Sequence, residues 1–93
     1  MAEEAVKQRL NQAKGAAIFA LKNSDYKIIP SDNSAFCILA VRKLEIRMIR
    51  VVVDEITAND IKIVGEFDPP GICTKEIWCR KANMKKFEKR EIE

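Results

Sequence analysis

Two adjacent acids, Asp54 and Glu55, close the run Arg50-Val51-Val52-Val53, and two further aspartates, Asp32 and Asp68, lie in turn-rich segments. Carboxylates that converge can hold Mg²⁺, a hard cation that takes oxygen ligands, and a bound metal clamps a phosphate without any histidine. Metal-assisted chemistry on a phosphate, with Asp54 and Glu55 as the catalytic and metal-binding pair, is one chemistry within reach. The plainer reading is preferred: two polar residues simply end a strand.

Basic side chains supply the other candidate chemistry. Arg42, Lys43, Arg47 and Arg50 flank the middle of the chain. Lys75, Arg80, Lys81, Lys85, Lys86, Lys89 and Arg90 crowd its last third, against Glu76, Glu88, Glu91 and Glu93. Lysine and arginine supply the sequence-independent part of nucleic-acid affinity through backbone phosphates. On that ground Arg42, Lys43, Arg47, Arg50, Lys75, Arg80 and Lys81 are the nucleic-acid-binding candidates. A formal charge of +3, from 17 basic and 14 acidic residues, is too modest to decide the matter alone, and a solvated, charge-balanced surface competes on even terms.

Several chemistries are excluded or weak. With no histidine there is no Ser-His-Asp set, and a cysteine nucleophile would lack its usual base. Gly15, Gly65 and Gly71 are isolated, so no glycine-rich phosphate loop exists. Cys37, Cys73 and Cys79 are an odd count, which suits small buried hydrophobes in a reducing compartment. Cys73 and Cys79 would lie about 20 Å apart in an extended segment, too far to share zinc. The acidic start Met1-Ala2-Glu3-Glu4 and the lack of a long apolar run make the cytoplasm the expected compartment.

The elements that must position these residues follow from periodicity and punctuation. At 93 residues, 47% hydrophobic and 33% charged, the chain has one domain's worth of core and no room for a second. Val6, Leu10, Ala13, Ala17 and Leu21 step by three or four, which predicts a helix over 3–21, ended by Asn23-Ser24-Asp25. Tyr26-Lys27-Ile28-Ile29 reads as a strand closed by the turn residues of 30–34. Residues 35–41 are almost wholly apolar and predict a central strand buried on both faces. Residues 42–45 turn it round into a third strand over 46–53, whose alternation Arg47 and Arg50 break. One of these arginines is expected at an edge, a ligand or the end of the sheet.

Thr57-Ala58-Asn59-Asp60 has the form of a capping box leading into a short helix through Ile61, Val64 and Gly65, with a strand as the alternative. The segment 67–71 is a proline break. Residues 72–80 read as a strand with Ile72, Thr74, Glu76 and Trp78 on one face and Cys73, Lys75, Ile77 and Cys79 on the other. Residues 86–92 are expected as an edge strand. Phe19, Phe36, Phe67 and Phe87 are expected in the core.

The resulting order, α-β-β-β-α-β-β, resembles the small PD-(D/E)XK nucleases, a group that includes restriction endonuclease-like enzymes and archaeal Holliday junction resolvases. The likeness runs from Val6 to Ile92. It is carried by the leading helix into Asp25-Tyr26-Lys27-Ile28-Ile29-Pro30, by Phe36-Cys37-Ile38-Leu39-Ala40-Val41, by Arg50-Val51-Val52-Val53-Asp54-Glu55 and by Lys75-Glu76-Ile77-Trp78. The resemblance implies an α/β fold with a mixed central sheet flanked by helices. It also implies Mg²⁺ held by an acid early in the second strand and another ending the third, with a lysine two positions on.

Here the second-strand position is Cys37, the third-strand acid is Asp54 or Glu55, and the residues two further on are Ile56 and Thr57. Only Glu3 or Glu4 could stand for the helix glutamate some members use. A degenerate, non-cleaving member that binds nucleic acid, DNA foremost, is therefore expected. The competing expectations are the active endonuclease, with Asp32 or Asp68 brought in from turns, and a protein-interaction subunit, for instance a homodimer burying Trp78 and a sheet edge against its twin.

Overall fold

The computed structural model describes residues 2–31, 35–67, 71, 73–81 and 86–92. Asp32, Asp68 and Lys85, named above, lie outside the described residues. Helix α1 (Ala2–Asn23) presents Ala13, Ala17 and Leu21 to the core, the inner part of the predicted stripe. Its end is satisfied by Tyr26 N–H donating to Leu21 O and Asp25 N–H donating to Lys22 O, with Asp25 in the left-handed region at φ 67°. This pattern caps the last carbonyls and reverses the chain, and a short polar side chain tolerates the reversal.

Strands β1 (Lys27–Pro30), β2 (Ile38–Arg42) and β3 (Glu45–Val53) form an antiparallel meander. Lys43 and Leu44 make the β2–β3 turn, with Lys43 at φ 51°. Helix α2 (Ala58–Glu66) carries the chain across to β4 (Cys73–Arg80), which pairs parallel to β3, and β5 (Phe87–Ile92) returns antiparallel. Among the described residues these strands form one five-stranded mixed sheet in the order β1-β2-β3-β4-β5. A parallel pair requires such a crossover, and a helix is its usual form. The architecture is α/β, with α1 and α2 packed against opposite faces of the sheet.

The α1 face holds Ile38, Ala40, Ile49, Val51 and Trp78, and the α2 face holds Phe36, Met48, Val64 and Ile77. The capping box is present in full. Thr57 Oγ1 accepts from Asp60 N–H (3.1 Å) and Asp60 Oδ2 accepts from Thr57 N–H (3.0 Å), which fixes α2 as helix over the strand alternative.

Three expectations are corrected. The apolar run 35–41 is not the central strand: pairing begins only at Ile38, β2 lies one place in from the edge, and β3 occupies the middle. Because α2 contacts β4 and β5, it leaves Leu39 and Val41 half-buried and Ile29 exposed. Phe19 is not core. It lies 69% exposed, because Ala17 and Leu21 take the buried side of that turn. Trp78 is already 1% exposed within this chain, enclosed by Phe87 and capped by Lys89, so it offers a twin nothing to bury.

The two arginines that break the alternation of β3 sit at neither an edge nor the end of the sheet. Three residues apart, they point to opposite faces, and each is neutralised where it stands. Arg47 donates to both oxygens of Glu76 (2.6 and 2.5 Å), and Arg50 Nε donates to Asp60 Oδ1 (3.0 Å).

Burial alone pushes the Glu76 carboxyl up, but donors from Arg47, Trp78 and Thr74 outweigh it and hold the group below its usual value. A depressed carboxylate contributes stability that is present above about pH 4.5 and is lost as pH falls towards the folded-state value. Urea unfolding of wild type and Glu76→Gln should therefore differ most near pH 7. The gap should narrow as pH falls below the usual glutamate range and through the depressed folded-state value, where Glu76 takes up its proton.

Candidate functional site

A cleft of about 540 Å³ opens at the carboxyl end of β3. One wall is α1, through Leu10 and Lys14, and the other is the start of α2, through Thr57 and Asp60. Carboxyl ends of parallel strands beside a crossover helix are where open α/β sheets place their ligands. The floor is Val51 and Val53.

Cys37 enters from the strand side, just ahead of β2. Its N–H donates to Ile49 O (3.1 Å), its thiol lies 3.6 Å from the same oxygen, and Val51 N–H donates to Sγ (3.4 Å). The thiol thus continues the β2–β3 ladder by one rung. The β3 residues level with it on the α1 face are Val51 and Val53, neither of them ionisable.

Asp54 and Glu55 stand at the mouth, just past the end of β3. Glu55 N–H donates to Val53 O (2.9 Å) across Asp54, whose φ is 71°, and Asp54 N–H donates to Arg80 O (3.0 Å). A three-residue turn with positive φ at its centre is the rarer, strained form. The Asp54 carboxylate accepts both arms of the Arg9 guanidinium, reaching across from α1, and this contact holds it below the usual carboxylate range. Among the described residues no three His, Cys, Asp or Glu side chains gather as a metal site.

The seven basic candidates divide into three groups. Arg47, Arg50 and Lys75 are structural. Arg47 and Arg50 are taken up by Glu76 and Asp60, while the buried Lys75 ammonium donates to Phe67 O (2.9 Å) and Gly65 O (3.4 Å) at the end of α2. That site complements the negative end of the helix dipole.

Arg42 and Lys43 stand at the opposite end of the sheet from the cleft. Arg42 donates to Ser24 O (3.0 Å) and to Glu45, and its guanidinium lies 4.4 Å from the Tyr26 ring centroid. There Arg47 and Lys89 cover the Trp78 ring, and Tyr26 donates to Glu45 (2.7 Å). Cation, ring and acid satisfy one another in a groove of about 430 Å³.

Arg80 and Lys81 are at the cleft end of the sheet but outside the cleft lining, whereas Arg50 lines the cleft and is taken up by Asp60. Arg80 is paired with Val53 and shares the α1 face with Trp78, and Lys81 follows it with a 3.6 Å contact to Glu88. Lys86 stands beside Lys81 at the start of β5. The structure adds two residues that sequence reasoning missed, Arg9 and Lys14 of α1. Their only sequence signal is position: Lys14 follows Leu10 by four, on the border of the apolar stripe, and Arg9 precedes Leu10.

Comparison with protein-family models, with curated proteins and with solved structures returns no match. No helix among the described residues is long and apolar enough to cross a membrane.

Arg50→Met would leave Asp60 as an uncompensated, largely buried carboxylate and should cost about 2 to 4 kcal/mol in denaturant unfolding. Lys43→Met, at the exposed hairpin turn, should change stability by no more than about 0.5 kcal/mol.

Proposed function

We propose that this chain binds nucleic acid, DNA foremost, by its phosphate backbone at the carboxyl end of β3 and β4. In this reading it is a restriction endonuclease-like domain whose catalytic site is degenerate. Support for the layout comes from the element order α-β-β-β-α-β-β, with a meander, a helical crossover and a parallel β3–β4 pair inside a mixed sheet. The observation that carries the binding reading is the basic rim of this end of the sheet. Lys14 lines the cleft and Arg9 meets Asp54 at its mouth, while Arg80 and Lys81 at the end of β4 and Lys86 at the start of β5 lie at the same end, the last two about a separate hollow.

What disfavours cleavage is the wall beneath that rim. The thiol of Cys37 is a soft donor unsuited to Mg²⁺ and is engaged with the ladder, while Val51 and Val53 supply no ligand and no lysine. Asp54 is occupied by Arg9.

A second reading, self-association, draws on Phe19 and on Leu44, which is 83% exposed at the tip of the β2–β3 hairpin. Exposed apolar side chains of this size are a reason to measure oligomeric state.

Titration of labelled duplex DNA across a salt series separates these readings. Phosphate binding should weaken steeply with salt, and Lys14→Ala and Arg80→Ala should each lower the slope of log K against log salt by about 0.9. Absence of binding at low salt would sink the proposal, and a salt-insensitive dimer seen by sedimentation would favour self-association. Cleavage in Mg²⁺ that Asp54→Ala abolishes would replace the proposal with an active nuclease.

A further inference from the structure

Arg9 and Asp54 are the only rim pair that joins α1 to the end of β3 among the described residues, and their chemistry matches the ligand proposed for this cleft. A guanidinium presents two parallel N–H groups to a carboxylate in the same fork that it presents to a phosphate. Both nitrogen arms of Arg9 are so engaged by the two oxygens of Asp54. The pair is open to solvent, with side chains 39% and 51% exposed, so it is weakly held and accessible to a competitor.

The carboxylate is also put there at a cost. Asp54 sits at φ 71° in a strained three-residue turn, with Glu55 N–H closing on Val53 O and its own N–H tied to Arg80 O. Residues held in sparsely populated backbone regions concentrate at ligand sites and switches, and an observed outlier is a fair start for a functional inference. The turn aims the Asp54 carboxylate at Arg9, while the neighbouring acid, Glu55, makes no such contact.

We infer that Arg9 is the phosphate-reading residue of the cleft and that Asp54 is its built-in competitor, filling the guanidinium fork until a phosphodiester displaces it. The inference rests on the nucleic-acid reading above. It makes the apparent affinity of the cleft a difference between two occupants of the same fork, so that removing the internal one raises affinity for the external one. The Asp54 carboxylate then rotates away into solvent.

The test is fluorescence anisotropy of a labelled duplex with the full chain at low salt, using four variants. Asp54→Asn frees the fork while keeping the turn, because asparagine tolerates positive φ best among non-glycine residues. It should tighten binding about three- to fivefold, the most that release from an exposed ion pair supplies. Glu55→Gln removes the same charge one residue away and should tighten binding by less than about twofold, which separates the fork from general electrostatics. Arg9→Lys keeps the charge and loses the fork, so it should bind more weakly than wild type. In an Arg9→Lys background, Asp54→Asn should add little, as expected when two residues act through one contact.

Equal gains from Asp54→Asn and Glu55→Gln, or a gain from Asp54→Asn that persists with Arg9→Lys, would overturn the inference and leave DNA binding standing. No binding by wild type or any variant would instead sink the nucleic-acid reading, and this inference with it. Thermal melts of all four variants should overlay wild type closely, since the pair is exposed.

Discussion

A guanidinium in the middle strand of a sheet has to be neutralised from a neighbouring element, and Arg50 is neutralised by Asp60. Much of the molecule hangs on that contact. Asp60 is at once the third residue of α2, the acid of its capping box and the counter-charge of β3. Arg50 also donates to Ala35 O (3.2 Å), so one side chain ties together the central strand, the approach to β2 and the start of the crossover helix. The contact between Asp60 and Arg50 holds the start of the crossover helix against β3 beside the cleft. Burial raises the cost of the Asp60 charge, and donors from Thr57 and Arg50 outweigh it, so the carboxyl stays below its usual value.

The opposite face repeats the device with different parts. Arg47 is held by Glu76, which also accepts from the Trp78 indole (3.1 Å) and from Thr74 (3.2 Å), and the guanidinium lies between the Tyr26 and Trp78 rings. Such a fully satisfied network is costly to break from one side, because any single deletion leaves a buried partner without its bond. Charge in this protein therefore does two separate jobs. Inside, it sets register and docks helices. At the cleft end the charges come from separate elements and form solvent-exposed pairs, Arg9 with Asp54 and Lys81 with Glu88.

The cleft lies between the first helix, the approach to the second strand and the end of the third. A thiol completes a hydrogen-bond ladder, valines form the floor, and one of the two acids is engaged by an arginine from α1.

The sequence by itself determined the local elements. Stepping apolar residues gave α1, Asn23-Ser24-Asp25 its end, Thr57 and Asp60 the cap of α2, and alternation gave the two faces of β4. These are near-neighbour effects, set by side chains within a turn or two of one another. Only the tertiary structure decided what each charge does. Arg47, Arg50 and Lys75 look the same in sequence as Lys43 and Lys81, yet the first three are at least half-buried and meet acids or helix carbonyls 8 to 29 residues away, while Lys43 and Lys81 stay exposed. Likewise Phe19 reads as core and is exposed, and Arg9 reads as surface and reaches Asp54 across 45 residues. Whether a charge is buried against a partner or left exposed depends on which strand becomes central and which face a helix covers. Those are long-range outcomes of packing, and no local pattern of residues carries them.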